Sequence, residues 1–463
     1  MSRQPKQGQG SASGKGRDKG RGKGHAKGRR RRPVVKVPSI SVEVIINKLG
    51  AQGDGVVKAM VLGRTETLFV AGALPGERVL VETVSKRGDG LVADLVEIIE
   101  PSAQRTEPSC PHYELCGGCA LQHMEKNAYA TWKRDLIERA LVQRGFETAP
   151  VLDPILIGEG TRRRVTFTAL KRGKRVALGF NARASHDIVT VDRCPLLVDS
   201  LNDLIPPLND ALATILDDGA RARINVTACE NGVDVMIEGG GSPELQAREA
   251  LATFLQGSEA VRLAWKDEGR APEPIAQKTA PLVYLTGVPV ELPPGAFLQA
   301  SVEGEHAIRD AVLAGVGEGA RRIADLYCGL GSFSIPLAQQ GIVDAVDATE
   351  SSIRALERAA GRAGLGGRVT AHVRDLSRQP LDVVELSKFD AVVFDPPRAG
   401  AGDQVGYLAD ADVARVVAVS CNPATFARDA RILVDGGFRL LSVQPIDQFI
   451  YSPHVELVAH FAR

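Results

Sequence analysis

Ser420-Cys421-Asn422-Pro423 closes an apolar run, Val416–Val419, and follows Asp395-Pro396-Pro397-Arg398 along the chain. Such a run reads as a buried strand, so the thiol stands at a strand end, at the start of an Asn-Pro turn. Upstream, Asp325-Leu-Tyr-Cys-Gly-Leu-Gly331 is a strand running into a glycine turn. That arrangement lets a backbone come close to a nucleoside-bearing cofactor such as S-adenosylmethionine. A nucleophilic cysteine beside a methyl donor suits the methylation of a carbon that is inert until something adds to its neighbour. Pyrimidine C5 is such a carbon. A thiolate adding at C6 makes the ring an enolate, C5 takes the methyl group, and loss of the C5 proton frees the thiol. The last step needs a positioned base, and Pro453-His454-Val455-Glu456 offers His454 or Glu456 ahead of a closing strand.

Each of these residues has a plainer reading. Free cysteines are usually buried and inert, a Pro-Pro pair makes turns, and a Glu is usually on the surface. Cys328 is a rival thiol, but it lies inside the glycine turn and would face the donor. Arg398 is expected to lower the pKa of Cys421, because a nearby cation favours the thiolate. Gly329 and Gly331 are expected to let the backbone approach the donor. A second strand ends at Asp347, where an acid can bind both ribose hydroxyls, with Glu350 just beyond as the alternative. Asp375 follows the next strand and could meet the adenine amino group. The glycine turn has no third glycine in register, which argues against a dinucleotide-dependent dehydrogenase. The fourth residue of Asp395-Pro-Pro-Arg398 is not aromatic, which disfavours methylation of an amino nitrogen.

A second group of chemistry-bearing residues lies far from these. Cys110, Cys116 and Cys119 have C-x5-C-x2-C spacing, and Cys194-Pro195 is the natural fourth member. Zinc sites usually come as paired C-x2-C units, and only one such half is present. Three close thiolates plus a distant one suit a [4Fe-4S] cluster, with zinc as the alternative. Seven cysteines in all, an odd and sparse set, argue against a disulfide framework.

The elements that must carry these groups fall into four stretches. Residues 1–36 form a basic tail of Gly, Ser, Lys and Arg, expected to be disordered and drawn to RNA or DNA by its charge. Residues 37–99 read as about five short strands with a turn at Gly88-Asp89-Gly90, a small β-barrel of the oligonucleotide-binding kind or a purely structural one. Residues 100–300 are a mixed α+β region, with helical spacing over Tyr129–Arg144 and strands over 162–194. Residues 301–463 alternate strands and helices, which implies a Rossmann-like α/β domain with a parallel-rich sheet and helices on both sides. Within it a helix is expected over Phe333–Gln340. At 463 residues two or three domains are expected. No apolar stretch has the span of a membrane helix, and no signal-peptide core stands at the amino terminus, so the cytoplasm is the expected compartment. Nothing points to an obligate protein partner.

These motifs together resemble the RNA 5-methyluridine methyltransferases. The resemblance rests on Asp325-Leu-Tyr-Cys-Gly-Leu-Gly-Ser-Phe333, Asp395-Pro-Pro-Arg-Ala-Gly400, Ser420-Cys-Asn-Pro-Ala-Thr425 with Arg428-Asp429, and His454-Val-Glu456. It implies an S-adenosylmethionine-dependent enzyme with Cys421 as nucleophile and Glu456 as base. It also implies that Gln299, Tyr327, Asp347, Asp375 and Asp395 bind the donor. Members that methylate 23S ribosomal RNA carry the same cysteine pattern and a small amino-terminal barrel, the TRAM domain, so a [4Fe-4S] cluster and a 23S target are implied. Relatives acting on tRNA often lack both, and a tRNA target is the nearest alternative. The family usually has Phe-Pro-x-Thr before His-x-Glu, where this chain has Phe449-Ile-Tyr-Ser-Pro453. An RNA 5-methylcytosine enzyme typically uses a Pro-Cys nucleophile, and a radical methylthiotransferase needs C-x3-C-x2-C. A non-catalytic RNA-binding protein would keep the tail and barrel without needing the thiol.

Overall fold

The computed structural model describes residues 36–240 and 243–463. The basic tail therefore lies, apart from Lys36, outside the described residues. Among these the chain forms sheets of six, seven, two and eight strands.

The first sheet comprises Ser41–Ile45, Lys48–Leu49, Gly55–Val61, Arg64–Val70, Arg78–Arg87 and Gly90–Glu100. Side chains alternate across a strand, so Val44, Val57, Leu68, Val79 and Val81 fill its interior while Ile45 is exposed. The strand Ser41–Ile45 also lies against Gly55–Val61, which curls the sheet on itself. The hairpin at Gly88-Asp89 forms as expected, and Lys48–Leu49 adds one short strand to the five.

The seven-stranded sheet is built from strands between Arg164 and Gln277. Helices Asp199–Ile215 and Leu245–Gly257 cover it through Leu204, Leu208 and Leu255, packed on Phe167, Ile224 and Val235.

The eight-stranded sheet carries the motifs. In spatial order it runs Val369–Val373, Ile342–Asp347, Arg322–Leu326, Ala391–Phe394, Arg415–Ser420, Glu456–Ala462, Arg439–Asp447 and Ile155–Leu156. The first five strands are parallel, and Glu456–Ala462 is antiparallel to both of its neighbours. Central strands are apolar on both sides because both faces are covered. Ile323 and Val393 pack with Ile308 and Leu356 of the helices Val302–Val316 and Glu350–Arg362. Ala324 and Phe394 pack on the opposite face with Phe426 and Leu433 of the helix Pro423–Asp435.

That second face also holds Ile137 and Leu141 of the helix Lys126–Val142, and the edge strand Ile155–Leu156 comes from the same early stretch. The hairpin Leu282–Leu285/Val288–Glu291 packs on the first face. Residues before and after position 300 thus share one core. The helix expected over Phe333–Gln340 is only Ser334–Leu337, because backbone bonds from Gln339 and Gln340 to Pro336 and Leu337 tighten its end into turns. No helix among the described residues is long and apolar enough to cross a membrane.

Candidate active site

The carboxyl ends of the parallel strands converge, which is where open α/β sheets bind ligands. Beyond Arg322–Leu326 the chain turns sharply, with Tyr327 held at φ +62° and Gly329 at +55°. The Gly329 N–H donates to Asp347 Oδ2 at 3.1 Å, and Thr349 N–H donates to Asp347 Oδ1 at 2.7 Å. One carboxylate therefore ties two neighbouring strand ends together. A Cβ on Gly329 would meet nothing within 4 Å, so this part of the turn borders open space. Gly331 differs: a Cβ there would stand 2.4 Å from Leu356 Cδ1. The missing Cβ at Gly331 permits close packing of the helix Glu350–Arg362, a demand that Gly329 does not meet.

Glu350 is exposed and pairs along its own helix with Arg354, leaving Asp347 as the acid at the turn. Asp375 follows Val369–Val373, and hydrogen bonds from Ser377 Oγ and N–H (2.6 and 3.0 Å) hold its carboxyl below the usual range. Asp325 is fully buried. Burial pushes its carboxyl up to about 7, against the hydrogen bond donated by the Ser334 hydroxyl. Its Oδ1 has no partner. An unpaired buried acceptor, an open glycine face and a ring of strand-end acids fit a ligand that brings N–H groups and positive charge.

Cys421 ends Arg415–Ser420, half-buried, in a cavity of about 410 Å³ shared with Arg398 and His454. The far wall of this cavity is the helix Lys126–Val142 and the Lys48–Gln52 loop of the first sheet. Asn422 caps the next helix through its Oδ1 (3.1 Å to Ala424 N) and donates its Nδ2 to the Arg398 carbonyl at 3.1 Å. The Asn-Pro turn and the Pro-Pro-Arg loop are thereby fastened together. The thiol is pushed up to about 11, chiefly by burial and then by the charges of Glu456 and Asp395. Arg398 acts in the expected direction but is outweighed, so its effect is smaller than the sequence implies. Cys328 is 5% exposed and lies within the apolar core, which removes it as a rival nucleophile.

Glu456 opens the strand Glu456–Ala462 and is buried at 4% exposure. Burial and the charge of Asp395 raise its carboxyl, and burial likewise raises that of Asp395. Two amides bridge these acids. Gln448 hydrogen-bonds Glu456 and donates its Nε2 to Gln299 Oε1 at 2.6 Å, and Gln299 Nε2 approaches Asp395 Oδ2 at 3.4 Å. Gln448 has no counterpart among the sequence-derived candidates, and no local pattern marks it. Buried Arg163 holds the Gln299 segment through the Gln299 carbonyl (3.2 Å) and Glu305 (2.6 Å). His454 lines the thiol's cavity, and burial with Arg398, Lys133 and Arg162 nearby keeps it neutral by lowering its pKa.

Cys110, Cys116, Cys119 and Cys194 line a separate cavity of about 290 Å³, together with Arg162, Arg164 and Arg193. Burial pushes the thiol of Cys119 up to about 12 and raises those of Cys116 and Cys194, with the other thiols of the set adding to the rise. As they stand, no group of three or more His, Cys, Asp or Glu among the described residues is placed to hold a single metal ion. The four cysteines and three arginines thus border one space.

Residues 367–463 match the family described as tRNA (Uracil-5-)-methyltransferase. An uncharacterized RNA methyltransferase of Brucella melitensis is 40% identical over 90% of this chain and 97% of its own length. Another, from Caulobacter vibrioides, is 41% identical over 91% and 100%. The 23S rRNA (uracil(1939)-C(5))-methyltransferase of Aeromonas salmonicida is 33% identical over 86% and 92%. Among solved structures, the tRNA (uracil-54, C5)-methyltransferase of Pyrococcus abyssi with S-adenosyl-L-homocysteine superposes at a TM-score of 0.70. It is 24% identical, over 91% of this chain and 100% of that one.

Proposed function

Because the chain belongs to the S-adenosylmethionine-dependent RNA uracil-C5 methyltransferases, we propose that it methylates a uridine of 23S ribosomal RNA through a covalent Cys421–C6 bond. The observation that carries this reading is the meeting of Cys421, Arg398 and His454 in one cavity, within electrostatic reach of Asp395 and Glu456. The donor, when bound, supplies a sulfonium methyl group and a positive charge. Gln299, Tyr327, Gly329, Asp347, Asp375 and Asp395 ring the open face at the strand ends and hold it there.

A uridine drawn out of its stack enters the cavity beside Cys421. The thiol gives its proton to water, its sulfur bonds to C6, and the C5=C6 electrons move to the O4 enolate. C5 then takes the methyl carbon, whose old bond to sulfur breaks. Glu456 accepts the C5 proton, the double bond re-forms, and the thiolate leaves. His454 is the neutral side chain that could replace Glu456 in this step.

The 23S target is supported by the Aeromonas relative and by the four-cysteine set beside the amino-terminal sheet, which we read as a TRAM-like RNA-binding module. The cysteines are assigned to a [4Fe-4S] cluster with a structural task, since the methyl transfer moves no single electrons. A cytoplasmic location belongs to the same proposal and is supported by the RNA substrate. Release of tritium from [5-³H]uridine-labelled ribosomal RNA only in the presence of the donor tests the reaction. Mapping 5-methyluridine in 23S RNA and tRNA from a deletion strain tests the target: loss from tRNA alone would replace 23S by the tRNA reading. Anaerobically purified protein should contain about four irons per chain; zinc in their place would overturn the cluster.

A further inference from the structure

The loop between Asp447 and Glu456 leads into the base, and, besides Gln448, it is held by groups the methyl transfer does not use. Lys133 and Asp447 are both completely buried, with Lys133 Nζ 2.8 Å from Asp447 Oδ1. Nζ also donates to the His454 carbonyl. One ammonium therefore grips the root of the loop at the end of Arg439–Asp447 and, at the same time, its far end, two residues before Glu456. Tyr129 Oη donates to the other Asp447 oxygen at 2.5 Å and accepts the Tyr451 N–H at 2.8 Å. Tyr451 sits at φ +62°, a conformation a tyrosine adopts only when its surroundings impose it. Its carbonyl accepts the N–H groups of Ala120 and Leu121 at 2.7 and 3.1 Å, directly after Cys119. Its hydroxyl donates to Glu159 at 2.9 Å.

A buried Lys–Asp pair loses most of its attraction to desolvation, and an apolar pair of similar size packs as well. Its benefit here is geometric. We propose that Lys133, Tyr129 and Asp447 are positioning residues that lock the Phe449–Pro453 loop so that Glu456 meets the C5 proton of the adduct. The proposal rests on the assignment of Cys421 and Glu456 above. It separates two halves of the cycle: bond formation by Cys421, which stands on another strand end, and proton removal, which depends on the clamp.

The test uses the full-length protein with its normal iron content. Tyr129→Phe removes the hydroxyl that receives Tyr451 N–H, and Lys133→Gln is the second variant. Three quantities are read: trapping on 5-fluorouridine RNA, tritium release from [5-³H]uridine RNA, and the steady-state fraction of covalent RNA adduct on ordinary uridine RNA. The expected result is trapping within about twofold of wild type, release slowed by about tenfold to a hundredfold, and a raised adduct fraction like that of Glu456→Gln. If both variants turn over like wild type, or if trapping and release fall together, the clamp is overturned while the Cys421 assignment stands. If the wild type itself forms no adduct, that assignment and the clamp fall together.

Discussion

Cys421 and three of the four cysteines of the separate cavity, Cys116, Cys119 and Cys194, are all raised by burial, yet different charges surround them. Cys421 faces Glu456 and Asp395, with Arg398 as partial relief. Cys116 is raised further by Cys110, Cys194 by Cys110 and Cys116, and Cys119 by all three other thiols, in a space lined by arginines. A thiol opposed by carboxylates stays protonated until the charge beside it changes, as the cationic donor proposed to bind next to Asp395 would change it. Thiols opposed by each other require a shared cation to lower them together. On the functions proposed above, the same residue type would work intermittently in one place and hold permanently in the other.

The strongest blow to this distinction would come from Cys421→Ala. Turnover should fall by about 10⁴-fold or more, with no adduct on 5-fluorouridine RNA; an adduct that persists would give the nucleophile's part to another thiol. Next in size, Glu456→Gln should slow release by about 10² to 10⁴-fold while covalent RNA–protein adduct accumulates on ordinary RNA. Rapid turnover would transfer the base to His454.

Arg398→Gln probes the charge balance directly. Arg398 favours the thiolate, so its loss raises the Cys421 pKa further above about 11. Below that value the thiolate fraction grows tenfold per pH unit, so trapping should rise from pH 7 to 9 in both proteins. The variant should be slower by about three- to tenfold; equal rates would mean that Arg398 does not act on the thiol. The smallest effect is expected for Cys119→Ser, which should lose iron and melt at lower temperature but trap 5-fluorouridine RNA within about threefold per folded molecule. Trapping lost as completely as in Cys421→Ala would erase the difference between the two sets.

The legible parts of the site were those encoded locally. Asp395 could be placed because it directly follows an apolar run, Cys421 because only Ser420 separates it from one, and Asp347 because its strand ends where a helix begins. Gly331 looked like Gly329 in sequence, and only the position of Leu356 across the fold separates a packing glycine from one that borders a cavity. Gln448 and Lys133 were invisible for a related reason. Their partners lie 149 and 314 positions away, at Gln299 and Asp447, so no window along the chain contains the pair. Arg398 was read with the right sign, but its weight depends on two carboxylates and a degree of burial that only packing supplies.

The edge strand Ile155–Leu156 has a consequence for how this molecule is made. It pairs with Ile446 and Asp447, and the helix preceding it buries Ile137 and Leu141 beneath strands that lie some three hundred residues further along the chain. During translation that helix leaves the ribosome with a greasy flank and a lysine whose counter-ion is still some three hundred codons away. A fragment cut near position 300 would therefore leave one flank of the eight-stranded sheet and one of its edges without the partners that cover them here.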